Sequence, residues 1–174
     1  MPRRPSSSSA RPLRVVGWRE WVRFPELGLE AVKAKVDTGA RTSSLHAWNV
    51  EPFERGGVEM VRFKVHPNQR DDDFVVATEA PLVDRRRVKS SVGHEQLRPV
   101  VLTTIEIAGE SWAIELTLTR RDVMGFRMLL GRQALRGHFV VDPGHSYYAG
   151  QPGRPAESLP RVVPGGPPQE SEPR

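Results

Sequence analysis

The sequence predicts an all-β domain, a closed or nearly closed barrel, and three observations carry that prediction. Apolar and polar residues alternate at a period of two through most of the chain. Glycine and proline break these runs at short intervals, and only one short stretch has helical character. Taken in order, Val32, Ala34 and Val36 alternate with Lys33 and Lys35, and Val61, Phe63 and Val65 alternate with Arg62 and Lys64. Trp112, Ile114, Leu116 and Leu118 alternate with Ser111, Glu115 and Thr117, the cleanest case in the chain. Each run reads as a strand with one face toward a core. Val101–Ile107 and Trp112–Thr119 flank Ala108-Gly109-Glu110, which predicts a hairpin. The helical piece runs from Arg132 to Arg136 and stops at Gly137, a residue suited to ending a helix.

Composition narrows the class further. At 174 residues the chain has the length of one domain with a real core. It has no cysteine, which removes disulfides, thiolate metal sites and a cysteine nucleophile together. No run of 18 apolar residues occurs, so no membrane span is expected, and the N-terminus lacks the apolar segment of a signal peptide. A cytoplasmic protein is the expectation. The net charge of +5 first suggests nucleic acid, but its distribution argues otherwise. Residues 1–14 hold four Arg and no acid, whereas residues 15–149 carry 19 basic and 18 acidic residues. A phosphate-tracking groove needs its cations on the fold itself. Residues 1–12 are expected to form a disordered basic tail. Residues 150–174, with seven of the 16 prolines, are expected to form a second disordered tail. The folded domain is then 13–149.

Chemistry concentrates at Lys35-Val36-Asp37-Thr38-Gly39-Ala40, where an Asp-Thr-Gly ends an alternating strand. The tripeptide alone is also ordinary turn chemistry. Peptide hydrolysis by carboxylates needs two of them sharing a proton: one, ionised, takes a proton from water, and the other, protonated, donates to the scissile carbonyl. In this reading Asp37 supplies the carboxyl, Thr38 anchors the loop through its hydroxyl, and Gly39 allows a tight turn and close backbone approach. The chain has one such tripeptide. A second Asp37 would come from a second copy across a two-fold axis.

Downstream, Met128-Leu129-Leu130-Gly131-Arg132 completes a paired signature with the tripeptide. Together they resemble the retropepsin-like aspartic peptidases, with Leu130, Gly131 and Arg132 as structural support behind the catalytic loop. More narrowly, Gly17–Val22, Ala34–Ala47 and Met128–Leu135 with Phe139–Pro143 resemble one bacterial and archaeal family. That family was historically labelled ATP-dependent zinc protease and is now regarded as retropepsin-like. Its members often accompany ATP-grasp ligases that add glutamate to proteins. The resemblance spans about Val15 to Tyr148. It implies an acid-protease barrel of six or more strands with one short helix after Gly131-Arg132. It also implies an aspartic endopeptidase with Asp37 as the catalytic residue and Thr38, Gly39 and Ala40 as its loop, working as a homodimer and without cofactor. The old label finds no footing in the residues. A phosphate-cradling Gly-rich loop ending in Lys and Ser or Thr is missing, as is His-Glu-x-x-His. The histidines at 46, 66, 94, 138 and 145 are scattered, which leaves only a spatial cluster open.

One departure stands out. Viral retropepsins commonly place an acid four residues after the catalytic Asp, paired with the Arg of Gly-Arg, whereas this chain has Arg41 there. Arg132 therefore needs another partner. Arg41 reads either as a solvated loop residue or as a substrate-binding cation favouring acidic peptides such as glutamate-rich tails. The flap that a retropepsin closes over its substrate is placed at Leu82–Pro99, with Ser90, Ser91 and Gly93 near its tip as substrate contacts. Arg85, Arg86, Arg87 and Lys89 make it basic, which reads as a solvated face or as a second attraction for acidic substrate. Asp71-Asp72-Asp73 lacks the ligand spacing of a calcium loop and reads as a turn. The rival readings are a catalytically silent module that binds peptide or regulates a ligase, and a metal-dependent hydrolase.

Overall fold

The computed structural model describes residues 11–89, 92–120 and 125–163. The predicted all-β architecture is present. The strands are β1 (Leu13–Gly17), β2 (Arg19–Phe24), β3 (Leu29–Asp37), β4 (Ser43–His46), β5 (Trp48–Arg55), β6 (Val58–Val65) and β7 (Val76–Lys89). They continue with β8 (Glu95–Ile107), β9 (Glu110–Thr119), β10 (Met128–Gly131), β11 (Phe139–Asp142), β12 (Gly150–Gln151), β13 (Arg154–Pro155) and β14 (Arg161–Val162). The helix α1 (Arg132–Leu135) directly follows Gly131.

Six strands close on themselves in the order β2-β3-β10-β4-β9-β8, with Arg23 of β2 paired to Glu106 of β8 as the closing contact. Beyond β8 the sheet continues through β7, β6 and β5. Closure leaves the ring without free edges, and its inward residues form the core. Phe24, Leu29, Leu45, Ile105, Leu116, Met128 and Leu130 of the ring are all fully buried, as is Phe63 of β6. The expected alternations hold: Val32, Ala34 and Val36 are buried on β3, and Val61, Phe63 and Val65 on β6. On β9 Thr117 and Thr119 are buried as well, because this end of the strand is covered on both faces. The hairpin turn falls on Ala108 and Gly109, whose φ values of 49° and 78° suit a two-residue turn between twisted strands.

Residues 150–163, the described part of the expected disordered tail, instead contribute short strands. β14 pairs with β1, Val15 N–H donates to Pro160 O at 2.7 Å, and Leu159 is buried. Prolines lack donors but accept through their carbonyls, so they serve along the margin of a small sheet. That sheet, β11-β1-β14, lies beside the ring.

Glu20 ties this margin to the ring. Its carboxylate is fully buried and accepts from the N–H groups of Gly17 (2.7 Å), Tyr148 (3.0 Å) and Ala149 (3.0 Å). Burial pushes its pKa above the ordinary carboxylate value, against the pull of these three donors. Nothing in the local pattern distinguishes Glu20 from the exposed acids, because its partners at 148 and 149 are remote in sequence.

Candidate active site

β3 delivers Asp37 as its last residue, level with Gly131 at the end of β10 in a parallel register. The chain then turns, with Ala40 N–H donating to Asp37 O at 3.2 Å. Asp37 Oδ1 accepts from the N–H groups of Gly39 (3.0 Å) and Ala40 (3.1 Å), so the carboxylate is oriented by its own loop. Its Oδ2 carries no hydrogen bond to any described residue, and the side chain is half-buried. One oxygen is fixed and the other is left for chemistry.

Arg132 finds the partner that the sequence required. Its guanidinium donates to the carbonyls of Gly39 (3.0 Å) and Thr38 (3.4 Å), so backbone oxygens of the loop stand where viral relatives use an acid. The first N–H groups of α1, which no helical carbonyl satisfies, add to the grip: Arg132 N–H meets Ala40 O at 2.9 Å and Gln133 N–H meets Arg41 O at 3.1 Å. Gly131 has no room for a side chain, since a Cβ there would stand 2.5 Å from the carbonyl carbon and oxygen of Thr42. Its N–H donates to Ser43 Oγ at 3.0 Å. Leu130 is buried behind the loop. Ser43 was missed in the sequence because a serine among Thr42, Ser43 and Ser44 carries no distinguishing signal.

One expectation for the loop is revised. The Thr38 hydroxyl makes no hydrogen bond among the described residues, and the anchoring comes from Asp37 Oδ1 and Arg132 instead. Gly39 does not take a left-handed conformation. Its lack of a side chain matters through space, since a Cβ would lie 3.2 Å from Asp37 Oδ1.

The flap candidate is a hairpin, paired from Leu82 opposite Val101 to Lys89 opposite Glu95. Gly93 lies in the turn with φ 83°, while Ser90 and Ser91 lie outside the described residues. Arg86, Val88 and Arg98 of the hairpin share a cleft of ≈ 220 Å³ with Ala40, Thr42 and Thr119. A hairpin and the Asp37 loop thus face one space. Its charge is less free than the composition suggests. Arg85 pairs with Glu59, Arg86 with Asp84 and Glu115, and Arg87 with Glu95. Arg41 is exposed and has no ion pair among the described residues. The Asp71–Asp73 stretch follows a turn at Gln69–Arg70, with Asp73 N–H on Asp71 Oδ1 at 3.0 Å and Asp72 paired with Arg127.

His46 and His66 both pack against Trp48, with ring centroids at 6.4 Å and 3.9 Å. Among the described residues no three His, Asp or Glu side chains converge as a metal site. No helix among them is long and apolar enough to cross a membrane.

Comparison with known proteins agrees with this geometry. Residues 15–152 match the model of a family described as RimB-like, retropepsin-like aspartic endopeptidase RimB. A protein of Shewanella pealeana named "Probable alpha-L-glutamate ligase" is 48% identical over 139 residues, covering 80% of this chain and 30% of that protein. A protein of the same name from Desulfotalea psychrophila is 48% identical over 130 residues, covering 75% and 28%. The chain therefore spans about 30% of the length of these relatives. A crystal structure of Lpg0085 from Legionella pneumophila, a protein of unknown function, superposes with a TM-score of 0.65 at 29% identity. It covers 77% of this chain and 96% of that one.

Proposed function

This chain belongs to the RimB-like family of retropepsin-like aspartic endopeptidases, and from that membership we propose that it hydrolyses peptide bonds with a dyad of Asp37 from two subunits. The observation that carries the reading is the half-satisfied carboxylate, with Oδ1 held by two loop N–H groups and Oδ2 open. Two carboxylates brought within about 3 Å cannot both ionise, so one keeps a proton. The ionised partner takes a proton from water as the water oxygen bonds to the scissile carbon. The protonated partner donates to the carbonyl oxygen, and collapse expels the amine with a proton from the dyad. The β7–β8 hairpin supplies the cover that excludes bulk water from the cleft.

The substrate class we propose is an acidic or glutamate-tailed protein segment. Arg41 at the end of the Asp37 loop supports it, as do relatives named as glutamate ligases that share this domain over part of their length. That shared length also favours a second reading, in which the fold binds the tail or regulates a ligase without cleaving.

The two readings separate on a peptide ending in a run of glutamates, assayed with wild type and Asp37→Asn while sedimentation reports the oligomer. Wild type is expected to cleave and to sediment as a dimer. Asp37→Asn is expected to stay folded and dimeric with turnover lowered at least about a hundredfold. Undiminished cleavage by the variant would eliminate the dyad, and a strictly monomeric wild type that binds the peptide intact would establish the second reading. Arg41→Glu is expected to weaken the preference for the acidic peptide over a neutral one.

A further inference from the structure

A second charged site lies at the opposite end of β9 from the cleft. Glu110, Ser111 and Trp112 at the start of β9 meet the start of β1, the approach to β11 and β14. Together they enclose a polar cavity of ≈ 240 Å³. Three arginines line it: Arg11 and Arg14 from the N-terminal side and Arg161 from β14. His138 completes the wall, its ring stacked on Trp112 with centroids 4.7 Å apart.

Arg14 is the unusual member. It is 8% exposed, packs over the Phe139 ring and forms an ion pair with Glu110. The Glu110 contact is made by Nη1 itself, so the one acid at the cavity is already engaged by Arg14. A buried cation normally has its donors satisfied. Here the neighbours beyond Glu110 are two more cations. Burial, and then repulsion from Arg11 and Arg161, push the Arg14 pKa down. Three arginines against one acid leave a formal excess of two positive charges at the cavity. The volume is smaller than a drug-sized pocket and suits a small ion.

We propose that this cavity is an anion site for a phosphate group, held between Arg11, Arg14 and Arg161. The excess charge matches a phosphate dianion better than a single carboxylate, and guanidinium forks fit tetrahedral oxyanions with paired hydrogen bonds. Because Arg11 and Arg161 come from the two ends of the folded chain, a bound phosphate cross-links the strands β1 and β14. The site contains no residue of the Asp37 cleft and stands independently of the peptidase reading.

The test is titration of the full chain with inorganic phosphate, followed by calorimetry and by thermal unfolding. Phosphate is expected to bind stoichiometrically and to raise Tm with concentration. Potassium chloride at matched ionic strength, and acetate, should do neither. Arg11→Gln and Arg161→Gln are exposed substitutions that spare the Arg14–Glu110 pair, and each is expected to weaken phosphate binding about tenfold or more. Equal effects of chloride or acetate, or undiminished affinity in both variants, would overturn the proposal.

Discussion

Glu20 and Asp37 each accept from more than one backbone N–H, and the contrast between them separates a structural acid from the proposed catalytic one. Glu20 is fully buried and spends both oxygens, on Gly17 and Tyr148 through Oε1 and on Ala149 through Oε2. Its donors come from both ends of the domain, so it works as a rivet. Asp37 spends one oxygen on two donors from its own loop and leaves the other without a partner among the described residues. A fully satisfied anion has nothing left to offer a substrate, whereas a half-satisfied one is oriented and still reactive. The number of open lone pairs distinguishes the two, since both acids sit beside glycine N–H groups in the same ring.

The strongest way to break the comparison is to remove each acid in turn. Glu20→Ala leaves three buried N–H groups without an acceptor and is expected to cost at least about 3 kcal/mol of stability, measured by denaturant unfolding. Asp37→Asn keeps an acceptor oxygen for Gly39 and Ala40, so its midpoint should stay close to wild type while turnover falls. Equal destabilisation by both variants would erase the distinction. Gly131→Ala comes next: a Cβ 2.5 Å from the Thr42 backbone forces the loop outward. A loss of about 1–3 kcal/mol is expected, with a larger proportional loss of activity than of folded protein.

Arg132→Lys is a milder probe. One ammonium replaces the guanidinium whose Nη1 donates to both Thr38 O and Gly39 O, at an expected cost of about 1 kcal/mol and a lowered kcat with little change in fold. The smallest effect is the pH dependence of Glu20. Its folded pKa lies above the ordinary value of 4.5, so between those two values the native state binds more protons than the unfolded state. Stability should therefore fall as pH rises upward from 4.5 through the raised value and level off above it. Glu20→Gln should lack that segment of the curve, and an identical curve in the variant would show that another group titrates there.

Much of the site could be read in order along the chain, because its parts are local. Asp37, Thr38, Gly39 and Ala40 form one turn, and the carboxylate binds N–H groups two and three residues on. The hairpin at Ala108-Gly109 and the stop of α1 near Gly137 were legible for the same reason: left-handed turns select their residues locally. The role of Arg132 was only half legible. The substitution of Arg41 for an acid required a different partner, but backbone carbonyls leave no mark in a sequence. The neutralisation of the hairpin's arginines was hidden as well, since Glu59 and Glu115 reach it from β6 and β9.

The sequence by itself determined the all-β class, the strand faces, and the placement of an Asp-Thr-Gly at a strand end, because alternation and turn preference act over a few residues. Tertiary structure alone decided which carboxylate is a rivet and which stays open, what replaces the missing acid beside Arg132, and that residues 150–163 join the fold. It also decided that three arginines from distant positions share one cavity. Each of these depends on strand register and ring closure, which bring together groups separated by tens to more than a hundred residues, and no local pattern encodes such meetings.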